Sequence, residues 1–295
     1  MTRFLDNERL RQKNKIMVKF FIRHLSGPFL CVLIFFSVFS NAFGDTNHMI
    51  FFYNPESNLD NFATVKTRLD TYLGHFGPYH FQPFADRETF EKIVCNRKDG
   101  ILILSSWHYE ILKKKIDISP VLVGVIDGKT TQKKVLYAKK KFDTLKKLRE
   151  MSITSAGSEE YTRNLLRLAA GEKDDGIVDS FSILKVPKDV DALISVDFDL
   201  AQAALTSEHS IIMLTSIYPK LGKKLIPIIR AQESLLSIVT IPVKYKTETA
   251  RLPVVIENME KHEEGREILH ILGLDGWKKP GVKELEMLEK REQKL

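Results

Sequence analysis

The sequence predicts an α/β fold in two lobes, a clamshell whose halves are joined by two hinge crossings. Two observations carry this. From residue 48 onward, apolar β-rich runs alternate with segments of helical period, the order that produces a mostly parallel sheet covered by helices. A second α/β unit of about half the size then interrupts the first, entered near residues 133–141 and left near 225–231. The expected division is 45–132 plus 226–295 for one lobe and 133–225 for the other. Lobe closure in such a shape encloses a small ligand.

The elements follow in order. "HMIFFYNPE" reads as a buried first strand, and "LDNFATVKTRLDTYLGHFG" as a helix with Phe62, Val65, Leu69 and Leu73 on one face. "YHFQPFAD" is a second strand, "RETFEKIVCNRKDG" a helix closed by Gly100, and "ILILSS" a third strand. "PVLVGVIDGKTTQKKVLYAKKK" gives two extended runs around the Asp127-Gly128 turn. The interrupting unit holds a helix at "DTLKKLRE", a strand at "MSIT", and a helix from Ser158. A strand at "SFSILKV" and a strand-helix region at "VDFDLAQAALTS" complete it. Strands at "KKLIPIIRA" and "LLSIVTIPV" return the chain. Helices at "ETARLPVVIENMEK", "EEGREILHILG" and "VKELEMLEKREQKL" close it. Ligands in such sheets sit outside the carboxyl ends of strands, which directs attention to residues 53–56, 105–109 and 155–158.

The first 44 residues have a different character. Lys19 and Arg23 precede an apolar run from Phe29 to Phe39, and Ala42-Phe43-Gly44 supplies a small-x-small site. This pattern predicts a secretory signal peptide cleaved after Gly44 and a periplasmic mature protein. Met17 would be a conventional start for that signal, with residues 1–16 an upstream extension or a misassigned start. The run is shorter than the roughly 20 residues that span a bilayer, and Leu30 occupies the place where a lipoprotein signal needs a small residue before Cys31. The segment carries a net charge of +5 out of the whole-chain +7, so the mature part is left with only +2. With no basic motif interleaved with aromatics, nucleic-acid binding is not expected. Of the two cysteines only Cys95 survives cleavage, which excludes an internal disulfide, and its position beside Phe90 and Ile93 reads as a buried inert thiol.

No GxSxG, P-loop, GxGxxG or HExxH occurs, and the histidines lack metal-ligand spacing. The expectation is therefore no enzyme, no catalytic residues, no metal and no cofactor. The lysine groups at 113–115, 139–141 and 146–147 read as solvated faces. The candidate binding residues are Tyr53 and Asn54 at the end of the first strand, Trp107 and Tyr109 beyond the third, Ser155 and Ser158 at a strand-helix turn, and Asp199. Each has a plainer reading. Tyr109 with Trp107 and His108 either lines an aromatic pocket or packs a loop. Ser155 and Ser158 either meet an anion at free N–H groups or cap the helix, and Asp199 either holds a ligand amine or caps a helix over Leu200 to Leu205.

Several strings resemble the phosphonate-type substrate-binding proteins of ABC importers, within the type II periplasmic binding proteins. "DGILILSSWHY" is similar to the family's strand running into a loop with a ligand-facing tyrosine, matched by Tyr109. "DTLKKLREMSITSAGSEEYTRNLL" is similar to its helix, strand and Ser-rich helix start, "VDFDLAQAALTS" to the segment with an aspartate matched by Asp199, and "GREILHILGLDGWKKP" to its C-terminal helix. The resemblance implies an exported, monomeric solute-binding protein. It would capture a small polar or anionic ligand, phosphonate- or phosphate-like, for an ABC importer permease or a membrane sensor. The alternative is a ligand-free, binding-protein-like sensor or interaction domain of the cell envelope. One departure bears on the ligand. Where the family presents Ser-Thr-Ser, Ser158 matches the first serine but Glu159 and Glu160 fill the next two places. Carboxylates there repel a dianion and already complement the positive helix end, so a less charged ligand is expected.

Overall fold

The computed structural model describes residues 48–54, 61–97, 99–171, 174–245 and 250–290. The expected signal segment, with its expected cleavage after Gly44, lies outside them. Strand β1 (His48–Tyr53) shows why the chain folds in layers. Ile50 and Phe52 join one apolar cluster while Phe51 and Tyr53 join another, the two-residue alternation of a strand buried on both faces. Strand β3 (Ile101–Leu104) repeats the division, Ile101 and Ile103 to one side and Leu102 and Leu104 to the other.

These strands build a six-stranded sheet. With β2 (Tyr79–Pro83), β4 (Ile118–Val125), β12 (Ile238–Pro242) and β13 (Gly276–Lys278), its order is β13-β4-β12-β3-β1-β2. The β1 strand runs parallel to β2 and β3, and the remaining pairs are antiparallel. One face is covered by α1 (Phe62–Gly74), α9 (Arg251–Glu257) and α10 (Glu263–Leu272). The other is covered by α2 (Arg87–Arg97), α3 (Ser106–Leu112) and α11 (Val282–Lys290).

A five-stranded sheet is made from the middle of the chain. Its order is β10 (Leu225–Arg230), β6 (Lys134–Lys139), β9 (Ala203–Ser207), β7 (Ser152–Ser155) and β8 (Ser182–Lys185). Here too β6 alternates, Val135 and Tyr137 toward α6 (Asp189–Asp197), α7 (Glu208–Ile217) and α8 (Pro219–Lys224), and Leu136 and Ala138 toward α4 (Glu159–Ala170) and α5 (Asp175–Asp179). The segments expected as crossings, 133–141 and 225–231, are largely the adjacent antiparallel strands β6 and β10 of this sheet. The chain passes between the sheets just beyond them, where β5 (Thr131–Gln132) and β11 (Ser234–Leu235) pair with each other. The Ser106 hydroxyl donates to the Leu235 carbonyl at 3.1 Å, and Thr130 donates to Glu284 at 2.8 Å, so both crossings are anchored to the six-stranded side.

Three local expectations are corrected and a fourth is narrowed. The helix at "DTLKKLRE" is only a 3-10 turn over Leu145–Leu148, since Leu148 alone among its residues is buried. The helix over Leu200 to Leu205 is absent: Ala203–Ser207 is strand β9, buried at every position in the middle of the sheet. The loop expected after β3 is helix α3, so Tyr109 lies on a helix. The Asp127-Gly128 turn forms as read, with positive φ at both residues and a bridge from Ile126 to Lys129, but its arms continue into different sheets.

Candidate functional site

Carboxyl ends of strands from both sheets meet. On the six-stranded side, β1 ends at Tyr53 and Asn54, and β3 runs into Ser105, whose hydroxyl caps α3 by accepting from the His108 N–H at 3.2 Å. The β2 strand leads to Asp86, which accepts from the Thr89 N–H at 2.8 Å at the start of α2 and places Arg87 at that helix's first residue. On the five-stranded side, β7 ends at Ser155 and turns into α4. Ser158 caps α4 by accepting from the Tyr161 N–H at 3.2 Å. Ser158→Ala is expected to lower stability by about 1 kcal/mol, the ordinary loss of a serine cap, read from chemical denaturation.

Among the described residues two contacts join the two sides, and the Ser158 hydroxyl lies close enough to the Tyr53 phenol to lower its pKa. Trp107 of α3 meets Tyr161 of α4 edge to face, with ring centroids 5.8 Å apart. Arg87 forms an ion pair with Glu160, and its guanidinium lies 5.3 Å from the centroid of the Trp107 ring. The two partners of that bridge differ in exposure, 24% for the Arg87 side chain and 54% for Glu160. Behind Arg87, Glu91 accepts from it, from Lys115 at 2.6 Å and from the wholly buried His108 at 3.0 Å.

This arrangement sets the protonation states. Burial pushes the Glu91 carboxyl up, but hydrogen bonds from Lys115, Arg87 and His108, together with the charge of Arg87, outweigh it and hold the group at about 2. Burial pulls His108 down to about 4 against the opposing pull of Glu91, so its imidazole is neutral at pH 7 and donates Nε2–H to that carboxylate. Burial raises the Tyr53 phenol, opposed by the charge of Arg87 and by the nearby Ser158 hydroxyl. Partial burial disfavours the Arg87 charge, yet Glu160 and Glu91 more than restore it and keep the group above its ordinary value. The result is a fixed cation beside an aromatic wall, with hydroxyls from both sheets within the same cluster.

Of the residues singled out in the sequence, Tyr53, Trp107 and Ser158 are brought together here, with half-buried Asn54 at the end of the same strand as Tyr53. Ser155 is buried one turn away, where its hydroxyl accepts from the Gly157 N–H at 3.1 Å and from Thr162 at 3.0 Å. Tyr109 packs in the apolar cluster with Leu112, Ile118 and Leu288 beneath the Lys113 ammonium, 5.5 Å from its ring centroid. Asp199 is at the opposite, amino-terminal end of β9, at φ 61°, paired with Lys139. The residues not singled out are Arg87, Glu91 and Tyr161, together with the structural part played by His108. Arg87 had a signal, because the β2–α2 turn is another carboxyl strand end and belonged with the three stretches already marked.

The chain matches no family model, and no curated protein matches it in sequence. Solved structures do match in shape. XAC2383 from Xanthomonas citri, solved bound to ATP, aligns with a TM-score of 0.59 at 13% identity over 84% of this chain and 96% of its own. The fold is that of a type II periplasmic binding protein. A binding-protein component of an ABC phosphonate transporter from Pseudomonas aeruginosa aligns with a TM-score of 0.59 at 12% identity, covering 84% of this chain and 87% of that one. PhnD1 from Prochlorococcus marinus, in complex with methylphosphonate, gives 0.57 at 14% identity over 84% and 98%. Arg87, Trp107 and Tyr53, on elements of the six-stranded sheet, thus face Glu160, Tyr161 and Ser158, on elements of the five-stranded sheet. Among the described residues no group of side chains could hold a metal ion, and no helix is long and apolar enough to cross a membrane.

Proposed function

We propose that this protein is an exported solute-binding protein that captures a small polar or anionic molecule between its lobes for an ABC importer. The observation that carries the reading is the Arg87 cluster. A guanidinium held rigidly by Glu91, backed by the Trp107 face, opposes the capped start of α4 on the other lobe, so a ligand seated there touches both lobes. Its differential affinity for the closed state would then drive capture. The fold neighbours lend direction to the ligand, since their solved complexes include methylphosphonate and ATP. The function proposed is binding and delivery, with no reaction at the site. A second reading, a ligand-free sensor or interaction domain of the envelope, is favoured by one observation: Glu160 already pairs with Arg87.

A thermal-shift screen of residues 45–295 against phosphate, methylphosphonate, methanesulfonate, sulfate and amino acids separates the two. A ligand present at about 100 times its Kd stabilises the folded state by about 2.7 kcal/mol. For a chain of this size that is a rise of roughly 5–10 °C in Tm. The expected result is such a rise with at least one anion and its loss in Arg87→Gln. No rise with any compound overturns the capture reading in favour of the ligand-free one.

A further inference from the structure

We infer that Glu160 is a built-in counter-ion for Arg87, which a captured ligand must displace, and that this exchange selects singly charged anions over doubly charged ones. The inference rests on the capture reading and adds the charge class of the ligand. Its basis is a charge balance. Arg87 and Lys115 supply two positive charges to the cluster, and Glu91 and Glu160 two negative ones, while the buried His108 is a neutral donor. Glu91 is fixed: three donors hold it and its side chain is only 14% exposed. Glu160 is not. More than half of its side chain is in water, and among the described residues the Arg87 bridge is its one side-chain ion pair.

Rotating Glu160 into solvent leaves one uncompensated positive charge at Arg87, which one negative charge on a ligand restores. A dianion overshoots by a full charge. It does so beside the displaced Glu160, whereas Glu159 at the same end of α4 is compensated by its ion pair with Arg163 at 2.7 Å. The contact also crosses from α2 to α4, 73 residues apart, so the same carboxylate holds the lobes together while no ligand is present. A half-exposed ion pair is a weak competitor, worth about a fivefold effect on an equilibrium. Glu160 therefore tunes the ligand without sealing the site.

Methanesulfonate and sulfate test this well, because they are similar in size and tetrahedral shape and carry one and two charges at every pH from 5 to 9. Titration calorimetry on the wild type, Glu160→Gln and Glu159→Gln supplies the comparison. The expected result is tighter wild-type binding of methanesulfonate than of sulfate. Glu160→Gln should tighten both, by about fivefold for methanesulfonate and by more for sulfate, so that the preference narrows. Glu159→Gln removes the same charge from the same helical turn without touching Arg87, and should change both constants by less than twofold. Binding in Glu160→Gln where the wild type shows none also supports the inference. Equal constants in the wild type and Glu160→Gln overturn the inference and leave capture standing. No binding of either anion to any of the three proteins overturns the inference, and capture falls with it only if the thermal-shift screen also finds no ligand.

Discussion

Phe90→Ala is expected to remove about 3–5 kcal/mol of stability, the ordinary cost of emptying a fully buried phenylalanine site. Phe90 has no exposed surface, and its ring centroid lies 5.4 Å from that of Phe84, 5.3 Å from His108 and 5.6 Å from Tyr53. It is the floor on which two site side chains rest. Deleting it leaves a cavity between α2 and the carboxyl end of β1 that a well-packed interior cannot close without moving Tyr53 or His108. Chemical denaturation reads the loss directly. Phe90→Leu, which keeps most of the volume, should lose under half as much. A loss below about 1 kcal/mol for the alanine variant would mean the site collapses freely, contrary to the packing described. Ligand affinity, where the truncated protein folds, should fall along with stability because Tyr53 loses its support.

How far the sequence could be read depended on where the determining contacts lie. Strand β1 was legible because burial on both faces leaves a continuous apolar run, and α4 because Ser158, two glutamates and a spaced apolar stripe mark a helix start. Helix α3 escaped for the opposite reason. Ser106, Trp107, His108, Tyr109, Glu110 and Leu112 are all buried, so this short helix has no polar face and no period to detect, and only the cap at Ser105 announced it. Strand β9 escaped because alanines favour helix locally, whereas the small side chains of Ala203 and Ala204 are used to pack a central strand tightly against the surrounding helices. The site divides in the same way. Tyr53, Trp107 and Ser158 follow from the rule that ligands sit at carboxyl strand ends. The pairing of Arg87 with Glu160 is made only by tertiary structure, and neither residue is unusual in its own stretch of sequence.

Acidification from pH 7 to pH 4 is expected to destabilise the protein by about 2–3 kcal/mol through His108 alone. In the unfolded chain this imidazole takes up a proton near its ordinary 6.5, whereas in the folded protein burial holds it down to about 4. Between those values the unfolded state binds the extra proton, so stability rises with pH and is lost as pH falls from 6.5 to 4. Glu91 acts in the same direction but lower, from its ordinary 4.5 toward about 2, so the two groups hand over near pH 4. The groups facing His108 explain why proton uptake does not rescue it. Glu91 favours the charged ring and Arg87 opposes it, while Tyr53, Phe90 and Trp107 surround it with ring surface that offers an extra charge little solvation. Urea denaturation at each pH from 7 to 4 gives the slope. In His108→Gln, whose side chain keeps a donor for Glu91 but takes up no proton, most of the slope above pH 4.5 should vanish. An unchanged slope in that variant would assign the acid sensitivity to other groups and leave His108 as a packing residue.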